Sequence, residues 1–180
     1  MPMWDRLKDQ AKTLQQSQSG RTGGRSSSTG SGGGSKAQLV GALKTQLASL
    51  KTELKSGAYR DASMAMCALV AAADGHVDPA ERQNVESMIL RNEVLQNFPP
   101  EQLRQRFNKH VDQLTQNFHQ GKADAMQEIA KAGKKPAEAR AVIQTGIVIA
   151  GADGDFSPAE QTVIREACTA LQVPPAEFQL

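Results

Sequence analysis

Ala73-Asp74-Gly75-His76-Val77-Asp78-Pro79-Ala80-Glu81 returns 79 residues further on as Ala152-Asp153-Gly154-Asp155-Phe156-Ser157-Pro158-Ala159-Glu160, with six of the nine positions identical. Each copy follows an apolar stretch, Met64 to Ala73 or Ile143 to Ala152. Each precedes an amphipathic one, carrying Val85, Met88 and Ile89 or Ile164, Ala167 and Cys168. Asp-Gly is a turn signal where a helix closes, and proline is tolerated in a first helical turn. Each copy therefore reads as helix, loop, helix. Two such hairpins are expected to pack about a pseudo-twofold axis.

The flanking sequence continues in helices. Pro99-Pro100 starts one whose apolar stripe is Leu103, Phe107, Val111, Leu114 and Phe118, and Lys122 to Ala132 forms a shorter one broken by Gly133. Pro136 to about Ala152 and Pro158 to about Leu171 follow, and Pro174 to Phe178 is a last turn. Aromatic residues are only 4 % of the 180, so the core must be built from Ala, Leu, Val, Ile and Met, which favours packed helices over sheet. No segment reads as a strand. The expected fold is all-α, a compact bundle with two pseudo-symmetric hairpins behind a flexible basic N-terminal arm.

That arm has three parts. Residues 1–16 are an amphipathic segment with Met3, Trp4, Leu7, Ala11 and Leu14 at helical spacing. Residues 17–35 hold seven of the fifteen glycines among Ser, Thr and two Arg. They read as a disordered linker spanning roughly 25 Å. Residues 36–56 carry Leu39, Leu43, Leu47, Leu50 and Leu54, a second amphipathic helix ending near Gly57. Residues 1–60 contain ten Lys and Arg against three acids, a net +7, whereas residues 61–180 contain eleven against sixteen, a net −5. A basic arm before an acidic body suggests contact with something anionic, such as a membrane face. One Trp and one Tyr give little basis for nucleic-acid stacking, and no nucleic acid is expected.

Function classes narrow in the same way. No apolar run is long enough to span a membrane, and the charged start lacks a secretory h-region. Cys67 and Cys168 lie in apolar helical stretches, which suits a reducing compartment and a cytoplasmic location. His110, His119 and the Lys134-Lys135 turn read as packing or surface residues. No phosphate loop, HExxH or nucleophile elbow occurs in the sequence.

The acidic loops support two readings. Asp78 and Ser157 precede Pro and stand three residues before Glu81 and Glu160, so both copies form capping boxes. Capping explains Asp74 and Asp153 less well, because an acid at a helix C-terminus opposes the macrodipole. If the hairpins face each other, Asp74, Glu81, Asp153 and Glu160 converge, aided by Asp78 or Asp155. Carboxylate ligands suit a divalent metal ion such as Ca²⁺, with Mg²⁺ or Mn²⁺ as alternatives. The loops are not EF-hands, since the twelfth positions are Val85 and Ile164 rather than Glu.

With both ADGxxxPAE loops in view, the chain resembles the TerB family of tellurite-resistance proteins from about Gly57 to its end. The stretches that carry the resemblance are Met64-Ala65-Met66-Cys67-Ala68 leading to Ala72-Ala73-Asp74-Gly75, and Gly146 to Ala150 leading to Ala152-Asp153-Gly154-Asp155-Phe156. Glu166 to Leu171 with Pro175-Ala176-Glu177-Phe178 completes them, and Trp4-Asp5-Arg6-Leu7-Lys8 looks like the family's start. The resemblance implies about seven helices, over a TerB-like domain at 57–180, and a role for the four acids in metal binding. It further implies a non-enzymatic module in tellurite resistance and stress response, at the cytoplasmic membrane face. Its partners there would be a TerC-like integral membrane protein and TerD-like proteins. Apart from the resemblance, Trp4, Leu7 and the bases of residues 1–35 are expected to touch anionic lipid. Two other functions compete with it: reduction or sequestration of tellurium oxyanion by Cys67 and Cys168, and a metal-free structural adaptor.

Overall fold

The computed structural model describes residues 32–153, 156–178 and 180, without the side chains of residues 32–37 and of 153. The segment expected over 1–16 and most of the linker expected over 17–35 lie outside the described residues. Seven α-helices occur among the described residues: α1 (Gly32–Ser49), α2 (Gly57–Ala71), α3 (Pro79–Arg91), α4 (Pro100–Gln116), α5 (Phe118–Ala130), α6 (Pro136–Ala150) and α7 (Pro158–Leu171). Short 3-10 turns at Leu95–Asn97, Lys131–Lys134, Gly151–Asp153 and Pro175–Phe178 link or end them. The described residues contain no strand. None of their helices is long and apolar enough to cross a membrane.

The core follows from two helices that are apolar on nearly every side. In α2, every residue from Ala62 to Val70 is buried, and in α6 so is every residue from Ala141 to Ala150. A helix apolar all round must be enclosed by others, and α2 accordingly touches α3, α4, α5, α6 and α7. It starts at Ser56, whose Oγ accepts from the Tyr59 amide at 3.1 Å. α2 and α6 approach closely because α6 carries Gly146: a Cβ there would come within 2.6 Å of Met66 Cγ.

The duplication in the sequence is a duplication of structure. α2 and α6 are both fifteen residues long, and their ends, like the starts of α3 and α7, differ by the same 79 positions as the loops.

Three expectations need correction. Phe118 does not continue the α4 stripe. The chain breaks at Asn117, whose side chain accepts from the Gln120 amide at 3.2 Å and opens α5. α5 can fold back over the last turn of α4 because Gly121 has no Cβ, which would otherwise meet the Gln113 and Leu114 backbone at 2.7 Å. Second, α1 begins at Gly32, inside the expected linker, where Gly32–Ser35 extend a helix that the leucine stripe nucleates. Third, α1 ends at Ser49 rather than near Gly57. There Ser49 Oγ donates to Gln46 O at 2.6 Å, and the next amides bond three residues back, Leu50 to Leu47 and Lys51 to Ala48. Asn97 Nδ2 then donates to the Lys51 and Leu54 carbonyls at 2.6 and 3.2 Å. Leu43, Leu47 and Leu54 are buried, and Gln144 Nε2 donates to Gln46 Oε1 at 3.0 Å, joining α1 to α6.

Ion pairs fix the outer helices rather than supply much stability. Arg82 binds Asn108 Oδ1 at 2.7 Å and Asp112 at 2.9 Å, and Arg104 reaches Glu86 at 3.1 Å, so α3 is held against α4.

Candidate functional site

Both acidic loops open onto one cleft of about 560 Å³, at the ends of α2 and α6 and the starts of α3 and α7. Asp74 and Glu81 line it from the first copy, Ser157 and Glu160 from the second. The two hairpins therefore do face each other. Asp74 and Glu81 are exposed, while Glu160 is half-buried.

The N-cap bond of the expected capping box is present in both copies. The Glu81 amide donates to Asp78 Oδ1 at 2.8 Å, and the Glu160 amide donates to Ser157 Oγ at 3.1 Å. The second cap goes further, because Ser157 Oγ also lies 3.0 Å from Glu160 Oε1 and donates to it. Asp78 serves as the cap of α3 and is not among the cleft residues. Asp74 has a local role that the sequence reading missed: its Oδ1 accepts from the His76 amide at 3.4 Å, an Asx turn that shapes the loop. Gly75 follows at φ 101°, a conformation that explains the Asp-Gly pair.

Asp153 closes the 3-10 turn Gly151–Asp153, but its side chain lies outside the described residues, as does all of Asp155. Among the described residues, no three His, Cys, Asp or Glu side chains close on one point as a ligand cage does. The described donors at the cleft are carboxylates, the Ser157 hydroxyl and the Asn84 carboxamide, oxygen donors that suit a hard cation. Spread around an open cleft, they suit an ion that keeps part of its water shell.

The cleft floor was not anticipated. Val70 and Ile149, from the last turns of α2 and α6, are buried beneath it, and Val85 and Met88 of α3 are half-buried beside it. The sequence spacing places Val85 and Met88 with Ile89 on one amphipathic stripe, yet only Ile89 is buried in the core, at 1 % exposure. The signal was a stripe wider than one contact needs.

Elsewhere, Cys67 and Cys168 are both free and buried. Burial pushes each thiol up to about 12, the setting of cysteines packed in a core. His110 is buried in the stripe of α4, and burial lowers its pKa.

A family model described as Tellurite resistance protein TerB matches residues 60–180, more than half of the chain. No curated protein and no solved structure matches it.

Proposed function

The chain belongs to the TerB family of tellurite resistance proteins, and on that footing we propose that it is a non-enzymatic interaction module whose acidic cleft takes a hard divalent cation. The observation that supports this reading is the cleft itself, lined by Asp74 and Glu81 of one repeat and by Glu160 of the other. Local capping needs no shared cleft: each hairpin caps itself. Asp74 and Asp153 are the first-choice ligands, with Glu81 and Glu160 as ligands that also complete the first helical turns. Ca²⁺ is the leading candidate, with Mg²⁺ and Mn²⁺ next. A bound cation would neutralise facing carboxylates and tie the two loops together.

The chain's own residues set how such a site behaves. The Asx turn at Asp74 and the caps at Asp78 and Ser157 hold the loops before any ion arrives. The Arg82 and Arg104 pairs keep α3, and so Glu81, in place. We place the module at the cytoplasmic membrane face, with residues 1–35 on anionic lipid, and with TerC-like and TerD-like partners as the family resemblance suggests. A short amphipathic segment binds lipid marginally, so a second contact is needed.

The test is calorimetric titration of Ca²⁺, Mg²⁺ and Mn²⁺ into chelator-stripped protein, with melting temperatures alongside. Saturable binding with ion-dependent stabilisation is expected, lost in an Asp74→Asn, Asp153→Asn double variant that keeps its helicity. No binding at millimolar ion, or a double variant that responds unchanged, would overturn it.

A further inference from the structure

The cleft has a second character that ion binding leaves unused. Its floor is apolar, with Val70 and Ile149 at the base and Val85 and Met88 on one side. Val85 and Met88 stand three residues apart on one face of α3, and both remain half-exposed. An apolar stripe with acids at its edge is the surface an amphipathic helix recognises, its anchors spaced at i, i+3 and i+4. Methionine at such a surface adapts to side chains of different shape.

We propose that this cleft docks one cationic amphipathic helix of a partner protein. Its apolar anchors enter between Val85, Met88 and Ile149, and its Lys or Arg residues lie over Asp74 and Glu81. The volume of about 560 Å³ falls within the range of roughly 300–1,000 Å³ typical of pockets that enclose a ligand. It admits a few anchor side chains and no whole domain. Charge selects the partner: the acids that line the cleft, Asp74, Glu81 and Glu160, attract a basic helix and repel an acidic one. The proposal rests on the interaction-module reading and gives that module's partner a chemistry.

The probe is a fluorescein-labelled Leu/Lys peptide of about five helical turns, with leucines on one face. Its control has the same composition in an order that destroys the stripe. Anisotropy is read with the full chain in excess chelator, so that no metal enters. Saturable binding is expected, at least about tenfold tighter for the striped peptide, a difference of about 1.4 kcal/mol. A Val85→Gln, Met88→Gln variant should lose about tenfold, whereas Met88→Leu should keep full affinity and show that the floor acts through its apolar surface. Asp74→Asn with Glu81→Gln should weaken binding and flatten its salt dependence.

Equal binding of both peptides, or a floor variant that binds as before while its helicity is intact, would reduce the effect to general charge attraction and overturn the proposal. Concentration-dependent self-association in sedimentation that vanishes in the floor variant would make the occupant a second copy, which also overturns it. Failure of the peptide while the cation still binds removes docking alone. Failure of both removes the module reading with it.

Discussion

The hydroxyl of Tyr59 on α2 donates to Thr145 Oγ1 on α6 at 2.8 Å, and Thr145 Oγ1 donates onward to Ala141 O at 2.8 Å. Both side chains have no exposed surface. This short chain of hydrogen bonds is the polar tie between the first helices of the two hairpins. Tyr59→Phe leaves Thr145 with its carbonyl partner and removes only the inter-helix bond. A loss of about 1 kcal/mol is expected, read as a lower urea midpoint at unchanged slope. An unaltered midpoint would mean the tie contributes nothing net.

The contact of Gly146 with Met66 between the same two helices tests packing instead. Gly146→Val places its first carbon 2.6 Å from Met66 Cγ, and Met66 is fully buried. Overpacking of this kind costs about 1–3 kcal/mol. Adding Met66→Ala should return part of that loss, because the two positions are in contact and their effects will not add.

Alkaline pH should weaken the fold. Burial holds Tyr59, Cys67 and Cys168 at about 12, above their ordinary values of 10.0, 9.0 and 9.0. The folded chain therefore keeps protons that the unfolded chain releases. Their contribution is complete below pH 9 and is lost as pH rises from there towards 12. Melting temperatures between pH 8 and 11 should fall, and fall less steeply in a Cys67→Ala, Cys168→Ala variant compared with its own value at pH 8.

Cap and ligand can be separated within one loop. Asp78→Ala removes the acceptor of the Glu81 amide and should cost about 1 kcal/mol with or without metal. Asp74→Asn keeps an acceptor for the His76 amide, so its effect on the metal-free chain should stay within about 0.5 kcal/mol. Only Asp74→Asn should abolish stabilisation by added cation. Equal behaviour of the two variants in both conditions would assign Asp74 a structural role alone.

The repeat, the helical class and the caps at Asp78 and Ser157 were legible because each rests on local chemistry: proline position, a capping side chain, a glycine turn. That Asp74 and Glu160 line one cleft was legible only as a condition, since it depends on how two hairpins pack. The break at Asn117 was missed because Phe118 fits the apolar period of α4. Asn117 and Gly121 held the contrary signal, a cap and a residue without Cβ. The cleft floor was missed for a different reason. Val85 and Met88 have the same spacing whether another helix covers them or solvent reaches them, and periodicity alone does not separate the two.

A groove shared by two identical subunits has walls that must change together, because one substitution appears on both sides. Here the two walls are encoded separately in one chain. Val70 on one side already corresponds to Ile149 on the other. One wall can therefore be retuned while the other stays fixed, so a scaffold of near-twofold form can evolve towards a ligand that has no symmetry of its own.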